Sequence, residues 1–275
     1  MKTIVAATDF SEDSLNAVEY AADMASAIGT CLLLVNVCPY PVTVNELPLP
    51  FYSMEEINSS AEKEMQLLKD KIAARTGGLL KIDTVVQQGD IIKGIIDSCE
   101  NQNTFAVVMG RSNRGSLERM LVGDTNIPVM QKLEYPLVTV PSGVHFKGLR
   151  NIGLACDFRH IIEALPVIEI KKILKKTDAS LHVLHVSNGN NGIHGSKKIE
   201  ASGWFQELMS DLNPHYHFIK GTDTEAEIIE FSDRLDLDLL IVIPKKHDLM
   251  EKIFRHSHSK RLVLQAHVPV MAIHE

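Results

Sequence analysis

One order of strands and helices runs through this chain twice, and that repeat limits the fold more than any other feature. Ile4–Ala7 leads into Thr8-Asp9-Phe10-Ser11, and Asn151–Cys156 leads into Asp157-Phe158. Gln88-Gly89-Asp90 is echoed by Lys220-Gly221-Thr222, and Tyr135-Pro136-Leu137-Val138-Thr139-Val140 by His267-Val268-Pro269-Val270-Met271-Ala272-Ile273. One internal repeat of this length means two domains of one fold, not a solenoid. The 275 residues suit two domains of about 140 each. The expected domains are residues 1–143 and 149–275, with a linker around Pro141–Leu149.

Within each copy, short apolar runs alternate with longer amphipathic stretches. In the first copy the expected strands are 4–7, 31–37, 81–86, 105–109 and 136–140. The expected helices are one after Ser11 with Leu15, Val18, Ala22 and Ala25 on one face, closed by Gly29, then 54–75, 90–99 and 126–133. The Pro-rich residues 39–53 read as a loop. In the second copy the expected strands are 151–156, 181–186, 215–219, 239–243 and 268–273. Its expected helices are 161–176, 199–212 (with Trp204 and Phe205 in the core), 226–235 and 257–266. Strands alternating with helices imply right-handed crossovers. The fold class is α/β: two tandem Rossmann-like domains, each a five-stranded, mostly parallel sheet with helices on both faces. A 5% aromatic share within a 45% hydrophobic content calls for aliphatic cores.

The net charge of -7 is uneven. Residues 1–144 hold 11 Lys and Arg against 18 Asp and Glu, and the remainder holds 17 against 17. Neither half is basic, so no nucleic-acid footprint is present. No apolar stretch approaches the roughly 20 residues of a membrane span. Cys31, Cys38, Cys99 and Cys156 form no C-x-x-C pair and read as free thiols of a cytoplasmic protein. All 12 histidines lie at or after His145. His247, His256, His258 and His267 crowd one region. They lack a matching cysteine or carboxylate pattern, so no metal is expected there. His182, His185, His215 and His217 read as strand positions. The chain has no G-x-S-x-G elbow, no G-x-G-x-x-G and no G-x-x-x-x-G-K-[ST] loop.

The opening strand with Ala7-Thr8-Asp9-Phe10-Ser11, the stretch Val108-Met109-Gly110-Arg111-Ser112-Asn113-Arg114-Gly115 through Val122-Gly123, and the Tyr-Pro-Leu-Val strand resemble the universal stress protein family. The resemblance covers the whole chain, one domain per half. It implies an adenine-nucleotide site, with ATP as the natural candidate, at Ala7, Thr8, Asp9, Val37, Met109, Gly110, Ser112, Asn113, Gly123, Asp124 and Thr125. In that family the loop reads Gly, two residues, Gly, nine residues, Gly, then Ser or Thr. Gly110 and Gly123 keep their places, Asn113 replaces the middle glycine, and Asp124 replaces the hydroxyl residue. Glycines permit positive φ and bring backbone amides close to phosphate. A carboxylate at Asp124 repels phosphate, and Asp124 is also a good N-cap for the helix that follows. In the second half the loop from Pro244-Lys245-Lys246-His247-Asp248 to His256-Ser257-His258-Ser259 keeps no glycine. That half is expected to be degenerate, with Asp157 as a helix-start carboxylate.

The expected function is regulatory stress response, with weak nucleotide binding in the first half. The alternative is an interaction protein with both pockets vestigial; an ATPase ranks third, because no general base or nucleophile lies in the loop. The resemblance also implies that Leu137–Val140 and Val268–Ile273 meet. One chain would then form an intramolecular pseudo-dimer, and two chains could associate as a homodimer.

Overall fold

The computed structural model describes residues 1–40, 54–111, 125–156, 166–187, 203, 207, 209–244 and 258–274. In chain order the elements are β1 (Thr3–Ala7), α1 (Glu12–Ile28), β2 (Cys31–Cys38), α2 (Met54–Arg75), β3 (Ile82–Gln88), α3 (Ile91–Glu100), β4 (Thr104–Arg111), α4 (Asn126–Lys132) and β5 (Leu137–Pro141). The second half continues with β6 (Asn151–Ala155), α5 (Val167–Thr177), β7 (Ser180–Ser187), β8 (His215–Lys220), α6 (Thr224–Arg234), β9 (Leu239–Val242), α7 (His258–Gln265) and β10 (Val270–Ala272). The expected 161–176 helix begins at Val167 among the described residues. Of the expected 199–212 helix, Ser210–Leu212 is a single 3₁₀ turn, and Trp204 and Phe205 lie outside the described residues.

Contacts divide the chain into two compact units: Met1–Tyr135 with Ser142–Phe146, and Pro136–Pro141 with Lys147–Glu275. In the first unit the strand order is β3-β2-β1-β4, all parallel. In the second it is β5-β10-β9-β6-β7-β8. There β5 pairs antiparallel with β10, Val270 facing Thr139 and Ala272 facing Leu137, and β10 with β9, β9 with β6, β6 with β7 and β7 with β8 pair parallel.

The first unit's core is the apolar run of β1 and β2, in which Ile4, Leu32 and Leu34 are fully buried, against the Ala17–Ala25 face of α1. Each large aliphatic side chain removed from water this way contributes roughly 1.5–3 kcal/mol. Ser11 caps α1 by accepting from the Ser14 amide, and Gly29 ends it in the left-handed conformation at φ 65. Asp90 caps α3 through the Lys93 amide, and Asp223 caps α6 through the Ala226 amide.

The residues expected as linker are partly fixed to α1. The Ser142 hydroxyl donates to the Asp13 carboxylate, Asn16 Nδ2 donates to the Val144 carbonyl at 3.1 Å, and Phe146 meets Tyr20 edge to face at 5.3 Å.

The backbone repeats bond for bond. The Thr8 amide donates to the Val35 carbonyl at 2.9 Å, and the Cys156 amide to the Leu184 carbonyl at 3.0 Å. The Gly89 amide donates to Cys38, and the Gly221 amide to Ser187. These pairs align Thr3–Thr8 with Asn151–Cys156, and Cys31–Cys38 with Ser180–Ser187.

Candidate functional site

In the first unit β2 lies on one side of β1 and β4 on the other. The chain therefore leaves β1 in one direction and later returns to its opposite side. That reversal opens a crevice at the carboxyl ends of the strands, where ligands of open α/β sheets bind. The tips there are Ala7-Thr8-Asp9 of β1, Val37 of β2 and Met109-Gly110 of β4. Val37 and Met109 are buried and Ala7 is half-buried. Thr125 stands at the head of α4 in a helical conformation, with no side-chain cap bond. Ser112, Asn113, Gly123 and Asp124 lie outside the described residues, as do Asp157, Lys245, Lys246, His247 and His256.

The β1 tip is a tight polar turn. Phe10 takes a positive φ of 63, which is costly for a bulky side chain. Two short hydrogen bonds hold it there: the Phe10 amide donates to Thr8 Oγ1 at 2.9 Å and the Ser11 amide donates to Asp9 Oδ1 at 3.1 Å. The Ser11 hydroxyl adds a second bond to Asp9 Oδ1 at 2.5 Å, and Thr8 Oγ1 lies 2.9 Å from Ser14 Oγ. Burial acts to raise the Asp9 carboxyl. Hydrogen bonds from the Ser11 and Ser14 hydroxyls and the Ser11 amide outweigh it, so the group sits below its ordinary value. Asp9 is thus an anion at neutral pH, held by its turn and exposed to solvent.

Gly110 has a different reason from the one its motif suggests. Its φ is not positive. A Cβ on Gly110 would come within 2.4 Å of the Asp13 carbonyl oxygen and 2.7 Å of its carbon. Glycine here lets β4 pass against the first turn of α1. The Gly110 carbonyl accepts from Asn126 Nδ2 at 3.0 Å, which ties α4 to the strand. The site therefore depends on close packing at this position, not on a left-handed backbone.

Several residues escaped the sequence reading. Asn36 is buried within the otherwise apolar β2, and its Nδ2 donates to the Thr8 carbonyl at 2.8 Å. A lone amide in such a run was the available signal. Ser14 and Asn126 had no comparable mark.

The second unit has the same crevice between β6 and β9. Cys156 stands where Thr8 stands, and His185 stands where Asn36 stands, with Nδ1 3.0 Å from the Cys156 carbonyl. Ser259 reaches the Ile243 carbonyl at 3.5 Å, as Asn126 reaches Gly110. Ile243, not Pro244, therefore takes the place of Gly110. His258 Nδ1 lies 3.0 Å from the buried Glu225, with Arg261 at 3.3 Å from the same carboxylate. His267 faces Asp233 at 2.8 Å. These two histidines thus point to different carboxylates.

The universal stress protein family model matches residues 1–141. The chain belongs to the universal stress protein family. A universal stress protein of Methanocaldococcus jannaschii is 29% identical over 145 residues, 50% of this chain and 81% of that relative. Among solved structures, a universal stress protein from Archaeoglobus fulgidus covers 99% of this chain and 96% of its own, with a TM-score of 0.74 at 20% identity. A putative universal stress protein from Pseudomonas aeruginosa covers 100% and 93%, with a TM-score of 0.66 at 12% identity. At those identities the structures establish a shared fold. No helix among the described residues of this universal stress protein is long and apolar enough to cross a membrane.

Proposed function

We propose that this universal stress protein is a cytoplasmic regulator that binds an adenine nucleotide weakly through its first half and has no such site in its second. The observation that carries the reading is the β1 tip. A buried Thr8 and a charged Asp9, fixed by Ser11 and Ser14, face the crevice at the strand reversal. Asp9 Oδ1 is consumed by the turn, which leaves Oδ2 to accept from ribose or adenine. In the second half the Thr8 position is a cysteine and the Gly110 position is Ile243, so neither a hydroxyl nor the glycine is available. Four free cysteines fit a reducing compartment. The sequence halves serve as the domains, 1–143 and 149–275. The antiparallel pairing of β5 with β10 supports a pseudo-dimeric chain.

Thermal melting with and without millimolar ATP tests the reading. A ligand at 100 times its Kd adds about 2.7 kcal/mol and raises Tm. Asp9→Ala abolishes the rise. Asp124→Ser enlarges it, with affinity stronger by about tenfold, because a like charge at close range is removed. No shift with any adenine nucleotide leaves the interaction-protein reading, which the carboxylate at Asp124 favours. Phosphate release above a no-protein control, lost in Asp9→Ala, identifies an ATPase.

A further inference from the structure

Three histidines gather on one face of β7 and β8 in the second unit. His182 and His215 are register partners, and His217 lies two rungs along, on the same face. His182 Nδ1 and His217 Nε2 are 3.1 Å apart. Their rings are tilted by only 18° with centroids at 5.3 Å, so they meet nearly edge to edge, nitrogen facing nitrogen. His215 lies nearly parallel to His182 at 5.1 Å. His182 Nε2 is buried and, among the described residues, has no hydrogen-bond partner. Two ring nitrogens facing across 3.1 Å hold a proton between them. A metal between opposed nitrogens needs about 4 Å, and no group of three donors among the described residues is placed to hold a metal ion.

The surroundings are apolar beneath and charged at the rim. His182 pairs with Gly153, and the space above that glycine holds Leu237, Leu240 and Leu184. The Phe231 ring of α6 covers His217 at 5.0 Å. A recess of about 550 Å³ between β8 and α6 opens His217 to solvent, with Lys220, Glu227, Glu230 and Arg234 around it. Glu230 pairs with Arg234 at 3.9 Å. His185, Tyr216 and Phe218 alternate to the opposite face of the sheet.

We propose that this cluster is an acid-sensitive latch: proton uptake by His182 and His217 opens the edge strand β8 of the second unit and leaves the first unit closed. The bond between His182 and His217 needs one N–H and one lone pair. It survives one added proton. A second sets N–H against N–H, with the His215 ring stacked beside them on the same face. Burial first, then the neighbouring imidazoles, lowers His182, and burial followed by His215 lowers His217. Residues 1–144 contain no histidine, and none lies in the strands of the first unit. At the matching rungs the first unit carries Leu33, Asp83 and Val85, with no imidazole among them. Because the folded imidazoles hold protons less well than unfolded ones, the latch is fully formed above about pH 6.5 and weakens as pH falls below it. Each unit of depression costs tenfold in the closed-to-open ratio.

Amide exchange and histidine NMR titration on the full chain test this. His182 and His217 should titrate below 6.5. Exchange at β8 amides, corrected for intrinsic rates, should rise about tenfold or more from pH 7 to pH 5, with β1 and β2 unchanged. The variant carrying His182→Leu and His217→Val should lose that rise. Titration at or above 6.5 in the wild type, equal loosening of both units, or an unchanged rise in the variant overturns the proposal. The wild-type titration decides even if the variant does not fold.

Discussion

In the first half, Asn36 donates to the Thr8 carbonyl at 2.8 Å. In the second, His185 stands at the same rung and reaches the Cys156 carbonyl at 3.0 Å. A buried carbonyl at the strand tip needs a donor in both places, and two unrelated side chains meet that need. Volume is conserved in the same way. Val5 of β1 faces Val107, whereas Gly153 of β6 faces Leu240, and the leucines at 184 and 240 fill the space it leaves. The halves differ at two strand tips: Thr8 has become Cys156, and the glycine that lets α1 approach has become Ile243. The second half has kept the strand-tip hydrogen bond of the first while changing the side chain that makes it.

The largest test of this contrast is Gly110→Ala. Its Cβ meets backbone that cannot swing away, so urea unfolding should show a loss of about 1–3 kcal/mol in the first half. A loss below the error of the measurement would mean that glycine is not needed there for packing. Next comes His185→Leu, which removes the His185 bond to the Cys156 carbonyl and should cost about 1–3 kcal/mol. His185→Asn borrows the first half's solution and should recover at least half of that. If Asn and Leu behave alike in denaturant melts, the two bonds are not equivalent. The smallest effect belongs to Asp9→Asn, at no more than about 1 kcal/mol for an exposed turn carboxylate. The folded Asp9 carboxyl lies below its ordinary value, so its contribution is complete above pH 4 and fades as pH falls through the folded value. Stability curves of wild type and variant should therefore converge in acid. A gap that widens in acid reverses the sign.

Much of the scaffold could be read in advance. The runs at 4–7, 31–37 and 105–109 emerge as β1, β2 and β4 because continuous aliphatic stretches bounded by turn residues have few other uses in a parallel sheet. Asp9 and Val37 were identified as site residues through the motif, and both stand at the strand tips beside the crevice. Gly110 was identified for a positive φ it does not have; its need comes from α1, almost 100 residues earlier, which no local pattern encodes. The trio of His182, His215 and His217 stayed hidden for a similar reason. Alternation marks His215 and His217 as one face of a strand, but pairing them with His182 takes the register between β7 and β8, and register depends on the whole sheet.

The partnership of Leu137–Pro141 with Val270–Ala272 has a practical consequence for anyone cutting this chain. A fragment ending at Gly143 keeps β5, all five of whose residues are buried, and loses the three-rung ladder that covers it. Bare amides and carbonyls beside an aliphatic surface are adhesive. Such a fragment would recruit another copy of itself, restoring by collision what the intact polypeptide secures through covalent continuity.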